Sequence, residues 1–275
     1  MKLYIMTDME GVCGVLNHDD WVMPSGRYYE DGKHLLTQET NAAVAGFFEA
    51  GATEIFIADG HGAGGINQSS LDIRTTYCRY FLPAAFPFML DRSFDAIAWV
   101  GQHAKAGAPY AHIAHTGWFN VLDYSINEVS IGEFGQMALC AAQLGVLPIF
   151  GAGDEAFTQE AASFVNGIET VSVKKGLLPG SGDELDCDAY RLRNNPAIHL
   201  NPGKARELIK AGAKKSLQRF IHNRDSFSFP AITPPYRKRI VFRSDGKNAA
   251  YEIKAEHPDD LILLINAVGE RSKLL

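Results

Sequence analysis

"YIMTDMEGVCG", residues 4–14, is the stretch whose reading decides the fold. An apolar run over residues 2–7 reads as a strand, and it stops at Asp8 and Glu10, with one residue between them and Gly11 behind. A buried strand that ends in two carboxylates has three readings: an acidic surface turn, a phosphate-binding loop, or a metal site. In an extended chain, side chains two apart share a face. If extension persists to Glu10, both acids point the same way. Adjacent carboxylates repel unless a cation sits between them or one holds a proton. The pair alone does not choose among the three readings.

The pattern outward from this strand is repetitive. "HLLTQETNAAVAGFFEA", 34–50, carries Leu36, Ala43, Val44 and Phe47 at helical spacing, with Gly51 as its stop. "TEIFIAD", 53–59, predicts a second strand and "FDAIAWVG", 94–101, a third. "YSINEVSI", 124–131, predicts two short strands about an Asn-Glu turn. Residues 132–144 predict an Ala-rich helix closed by Gly145, followed by core strands "VLPIFGAG", 146–153, and "ETVSVKK", 169–175. Alternating strands and helices predict an α/β fold, a mostly parallel central sheet with helices on both faces.

Beyond residue 175 the pattern changes. Residues 176–200 lack periodicity and read as a long loop. "NPGKARELIKAGAKKSLQRFIH", 201–222, predicts a helix capped by Asn201 with Pro202 in its first position. "RKRIVFR", 237–243, predicts a strand, and "HPDDLILLINAV", 257–268, a final helix. The expectation is one catalytic unit over 1–275, with lobes at 1–175, a metal-binding core, and 176–275, a smaller C-terminal α/β portion.

In open parallel sheets, ligands bind beyond the carboxyl ends of the strands. Asp8 and Glu10 follow the first strand, Asp59 and His61 the second, and His103 the third. Gly60, Gly62 and Gly65 formally satisfy the dinucleotide fingerprint G-x-G-x-x-G. Its context is wrong. "INQSSLDIRTTYCRYFLP", 66–83, has no apolar helical stripe and ends in Pro83, and the strand at 94–101 runs on into Gln102 and His103 where the fingerprint expects an acid. An NAD-dependent oxidoreductase is therefore the weakest of the functional readings. Glu133 lies in "SIGEFG" and has two readings: a capping box with Ser130, or a carboxylate aimed from a helix start into the same cleft. Cys13 is a candidate soft ligand.

Together, two histidines and three carboxylates gather at one end of one sheet. Zinc takes imidazole nitrogen and carboxylate oxygen. Five such ligands suit two ions sharing a carboxylate, an arrangement that supports hydrolysis. His112 and His115 in "YAHIAHTG", 110–117, are candidates for proton transfer, because imidazole titrates near neutrality.

Composition excludes other classes. The 275 residues are 46% hydrophobic with a formal charge of −6, and "KAGAKK" and "YRKR" are short basic stretches. No nucleic-acid or membrane surface is expected. A chain this long buries roughly 75% of its unfolded surface and needs no disulfides. Four scattered cysteines, without a CxxC pair, read as reduced thiols. With no apolar leader in "MKLYIM", they predict a cytoplasmic protein.

"TDMEGVCG", "DGHG", "GQHA", "AHTG" and "GEFG" stand in an order and spacing that resembles the DppA-type D-aminopeptidases, over residues 1 to about 175 and more weakly at "LNPGKARELIKAGAKKSL" and "TPPYR". The resemblance implies a cytoplasmic dinuclear zinc metallopeptidase acting on short peptides or aminoacyl amides, with a preference for D-amino acids. It implies that Asp8 bridges two zinc ions, that Glu10, His61, His103 and Glu133 complete the ligands, and that His115 is catalytic. It also implies a homo-oligomer, a decamer of stacked pentameric rings. The family's Arg-Ser-Ala segment after "VKK" is not recognisable here; "GLLPGSGDELDCDAYRLRNN", 176–195, stands in its place. The other class of reading is a non-catalytic metal- or peptide-binding protein on the same scaffold.

Overall fold

The computed structural model describes residues 1–79, 86–228, 232–246 and 248–274, so Pro83 lies outside the described residues. In chain order the strands are β1 (Lys2–Thr7), β2 (Glu54–Asp59), β3 (Thr76–Cys78), β4 (Ala96–Gln102), β5 (Val121–Ile126), β6 (Val129–Ser130), β7 (Leu147–Asp154), β8 (Glu169–Gly176), β9 (Ala197–His199), β10 (Tyr236–Phe242), β11 (Tyr251–His257) and β12 (Glu270–Lys273). The helices are α1 (His18–Trp21), α2 (Tyr29–Glu49), α3 (Glu133–Leu144), α4 (Glu155–Phe164), α5 (Cys187–Arg193), α6 (Pro202–His222) and α7 (Leu261–Asn266).

The central sheet runs β3-β2-β1-β4-β7-β8-β9. Every pairing in it is parallel except β8 with β9. Its central strands are apolar almost throughout because both faces are covered. On one face, Leu3 and Ile5 of β1 meet Leu36, Val44 and Phe47 of α2 and Ile209, Ala213 and Leu217 of α6. On the other, Tyr4, Ile97 and Trp99 meet Phe134 and Met137 of α3, Phe157 of α4, and Leu264 of α7. The expected α/β architecture with helices on both faces is the one observed.

A second sheet, β12-β11-β10-β5-β6, is antiparallel throughout. Its hairpin turns through Asn127 and Glu128, both at positive φ, as the Asn-Glu reading required. Val121, Tyr124 and Ile126 of β5 join the core on the α3 side of the central sheet.

Several expectations change in the structure. Helix α2 begins at Tyr29, ahead of residue 34. Segment 176–200 is not one loop: it holds α5, capped by the Asp186 side chain, and β9. The final helix shrinks to Leu261–Asn266, because residues up to His257 pair with β10. Helix α4 and strands β11 and β12 were not foreseen.

One approach of two loops positions the site. Gly11 N–H donates to Gly101 O at 2.7 Å, and a Cβ on Gly11 would stand 2.0 Å from Gln102 O. Gly101 itself has φ +76°, which favours glycine. The mouths of β1 and β4 are thus pressed together, which places Asp8 beside His103.

Candidate metal centre and active site

Asp8 is buried just past β1, and its two oxygens face opposite ways. Oδ1 lies 3.1 Å from His61 Nδ1, beyond β2. Oδ2 lies 3.2 Å from His103 Nε2, beyond β4, and accepts a hydrogen bond from Gln102 Nε2 at 3.1 Å. Glu10 Oε2 is 3.3 Å from the same His61 Nδ1, and Glu133 Oε1 is 3.7 Å from His103 Nε2. The five residues singled out in the sequence therefore converge, with Asp8 between two subsets.

The donors reach this point for local reasons. His61 sits in the glycine loop after β2, which Asp59 folds by accepting N–H bonds from Gly65 and Ile66. Arg79 clamps the same loop through the carbonyls of Asp59, His61 and Gly62. The three glycines thus serve a histidine loop rather than a dinucleotide. Only a 3₁₀ turn, Gln68–Ser70, follows them, in place of the helix a fingerprint would open.

Glu133 opens α3, but Gly132 is its N-cap and no side chain caps it. Ser130 Oγ instead engages Asp123 and the Lys105 ammonium, at 2.7 Å from the latter. The capping-box reading is replaced by the other one: the Glu133 carboxylate turns to the site and accepts Gly117 N–H at 2.7 Å.

Electrostatics mark the cluster as a cation site. Burial works to raise the Asp8 carboxyl, but bonds from His103 and His61 outweigh it and hold it far below the carboxylate range. Burial and the Asp8 charge raise Glu10, yet His61 and His115 bring it below its ordinary value. Burial lowers His61 and His103, and the carboxylates overcome this and pull both well above the ordinary imidazole value. Glu10 Oε2 and His103 Nε2 are buried without a hydrogen-bond partner among the described residues, although charged neighbours stand close. Orphaned buried donors and acceptors of this kind are satisfied by a coordinated ion. Two groupings have ligand atoms within 4.8 Å of one another: Asp8, Glu10 and His103, and His103, His115 and Glu133. The residues fit a divalent metal pair.

A model of peptidase family M55, D-aminopeptidases, matches residues 1–255. The chain belongs to this family. The D-aminopeptidase of Bacillus subtilis (strain 168) is 30% identical over 242 residues, covering 86% of this chain and 79% of that protein. The solved structure of the Zn-dependent D-aminopeptidase DppA from Bacillus subtilis, described as a self-compartmentalizing protease, is 23% identical. It superimposes with a TM-score of 0.81 over 97% of this chain and 95% of its own, so the M55 fold is shared. Family membership and the donor cluster make the chain a metal-dependent aminopeptidase, and neither an oxidoreductase nor a purely binding role is favoured.

The remaining sequence candidates separate within this M55 scaffold. His115 joins the site: its ring stacks on His103 at 4.2 Å and 16°, and Nε2 lies 3.9 Å from both Glu10 and Glu133. His112 does not. It is fully buried, with Nε2–H donating to Leu16 O, and burial pushes its imidazole down to about 2. Cys13 is not a ligand: its thiol donates to Leu200 O and its N–H to Glu39 Oε1.

Sequence reasoning missed Lys174, Gln102 and Arg79. The Lys174 ammonium is buried and donates to the backbone carbonyls of Glu10 and Val15, bracing the acidic loop from behind. A lysine inside the apolar stretch of "ETVSVKK" was the available signal.

Proposed function

We propose that this chain is a zinc aminopeptidase that releases the amino-terminal residue from short peptides or aminoacyl amides, with preference for D-amino acids. Asp8 would be shared between two zinc ions, with Glu10 and His61 on one side and His103 and Glu133 on the other. The observation that carries this is the split of the Asp8 oxygens, Oδ1 toward His61 and Oδ2 toward His103. When bound, such a pair polarises the scissile carbonyl and lowers the pKa of water.

The chain's own groups supply the rest. Gln102 Nε2 donates to one Asp8 oxygen, and that bond orients the carboxylate. His115 Nδ1–H donates to Ile113 O at 2.9 Å, which turns Nε2 toward Glu10 and Glu133 as an acceptor. Burial lowers its pKa and keeps it ready to accept a proton. His115 Nε2 would take a proton during attack and pass it to the leaving amine, which departs badly as an anion.

The self-compartmentalizing habit of the Bacillus subtilis relative supports a homo-oligomer, a decamer, with the sites facing an inner chamber. No described helix is long and apolar enough to cross a membrane, in keeping with a cytoplasmic enzyme. The test pairs metal content with hydrolysis of D- and L-aminoacyl amides, free and N-acetylated. About two zinc ions per chain, and turnover confined to free amino termini, are expected. Protein that binds no metal on reconstitution, or that cleaves blocked and free substrates equally, overturns the reading.

A further inference from the structure

His18 lies outside the donor set and outside the mechanism above, yet it lines the cavity of about 690 Å³ that holds the metal donors and His115. It opens the short helix α1 and is 5% exposed. Its ring is set by two aromatic neighbours, Trp118 at 5.2 Å and 79° and Phe119 at 4.9 Å and 87°. Phe119 also packs on His115 at 4.5 Å, so the two imidazoles share one aromatic partner.

The two ring nitrogens of His18 have different surroundings. Nδ1 lies 3.3 Å from Asp19 Oδ1. The Arg191 guanidinium pairs with the same oxygen and holds the Asp19 carboxyl below its ordinary value. A carboxylate can only accept, so Nδ1 carries the ring proton and Nε2 is an acceptor. Nε2 has no hydrogen-bond partner among the described residues, yet it is not sealed in and keeps accessible surface. Burial pushes the imidazole below its ordinary value, against the pull of the Glu10 and Asp19 carboxylates, which favours the neutral form at pH 7. Arg191 belongs to α5, in the segment 176–195 where the family's Arg-Ser-Ala run is not recognisable. Asp19 and Arg191 line a smaller cavity of about 200 Å³, and His18 borders that one as well. Segment 176–195 therefore reaches, through Asp19, a side chain of the donor cavity.

We propose that His18 is a further substrate-binding residue of this site: its Nε2 turns to the donor cavity and accepts a hydrogen bond from the free amino group of the substrate, while Asp19 and Arg191 hold the ring in place. The inference rests on the aminopeptidase reading above. The backbone of an aminoacyl amide carries N–H groups at two places only, the amino group and the scissile amide. His115 serves the nitrogen of the scissile amide, so the amino group is the donor left for His18. An acceptor there helps the site to read a chain end rather than an internal residue.

The test uses the full-length, zinc-loaded protein, leucine amides of both chiralities, and two uncleavable probes, leucinol and its deaminated analogue 4-methylpentan-1-ol. His18→Phe keeps a ring against Trp118 and Phe119 and removes the acceptor. It should retain about two zinc ions and raise KM about tenfold with kcat little changed. Leucinol inhibition should weaken about tenfold, with 4-methylpentan-1-ol inhibition unaltered. His18→Gln, whose carbonyl oxygen can stand near the place of Nε2, should recover part of the loss. Arg191→Gln should move KM and leucinol inhibition the same way by a smaller factor, and Arg191→Lys should restore them. Equal loss for both probes in His18→Phe would overturn the inference, because only shape would then be read. Unaltered leucinol inhibition, or loss of zinc with the fold kept, would overturn it too. An Arg191→Gln protein that matches the parent would remove the positioning role of Arg191. All of these results leave the aminopeptidase reading intact. A parent protein that binds zinc and cleaves none of the amides would overturn that reading, and this inference with it.

Discussion

Lys174→Met tests whether the acidic loop is held from behind. Lys174 is 3% exposed, and its ammonium donates to the carbonyls of Glu10 and Val15. Burial lowers it to about 8, against the pull of Asp154, so it remains largely charged at pH 7. Methionine keeps most of the stem and removes the charge, leaving two carbonyls unpaired. Removing one member of a buried charged network costs about 3–5 kcal/mol. The lower end applies here, because burial pushes Glu39 up to about 8 and leaves it mostly protonated at pH 7. About 3 kcal/mol in a chain of this size lowers Tm by about 6–12 °C. The Glu10 loop also loses its brace, which should weaken zinc binding by about 10-fold or more. Thermal unfolding and zinc calorimetry read the two effects, with Glu39→Gln as a near-neutral control. A Met variant within 2 °C of the parent (~0.5–1 kcal/mol), with unaltered zinc affinity, would refute the bracing role.

Asp8→Ala should abolish both zinc ions, whereas Glu133→Gln should leave about one; elemental analysis showing full occupancy in Asp8→Ala would exclude a shared carboxylate. His115→Ala should keep both metals and lower turnover by roughly 10²-fold or more; loss of a metal instead would make His115 a ligand, a role its grouping with His103 and Glu133 makes geometrically available. His112 sets a pH dependence of stability. Burial holds its folded imidazole at about 2 against an ordinary 6.5, so below pH 6.5 the unfolded chain binds a proton that the native chain refuses. Stability should fall with acidification through that window by up to about 1.4 kcal/mol per pH unit. Denaturant titrations of His112→Asn should show a shallower acid limb, and parallel profiles would contradict this.

The inner strands of the central sheet were legible because β1, β4 and β7 are buried almost throughout and read as continuous apolar runs, whereas its short outer strands β3 and β9 are half-exposed and give no such run. Polar, half-exposed strands were not: β11, "YEIKAEH", carries charges on its open face and lacks such a run. Helix α4 was hidden because its cap, Asp154, also ends β7 and accepts from Phe157 N–H, so strand and helix share a residue with no loop between. The donors were legible because strand ends of a parallel sheet meet at one edge. What the linear chain cannot display is which way a side chain turns once there. Ser130 and Glu133 fit a capping box by spacing, yet a hydrogen bond from Gly117 N–H accompanies Glu133 into the site. His112 and His115 differ by three positions, yet His115 reaches Glu10 and Glu133 while His112 bonds Leu16 O. Lys174 was invisible as a brace because its partners, Glu10 and Val15, lie some 160 residues earlier.

The strand order carries a consequence for how the molecule is made. Among the described strands β1 is the first in chain order, and it ends in the middle of the sheet. β2 and then β3 are laid on one side of it, while β4, β7, β8 and β9 follow in succession on the other. The second sheet grows the same way, from the β5–β6 hairpin outward through β10, β11 and β12. Each newly translated strand therefore meets an edge already in place, and none has to be inserted between finished neighbours. The three strand mouths that carry Asp8, His61 and His103 are assembled in the first stage of this accretion, and everything synthesised later is added around them.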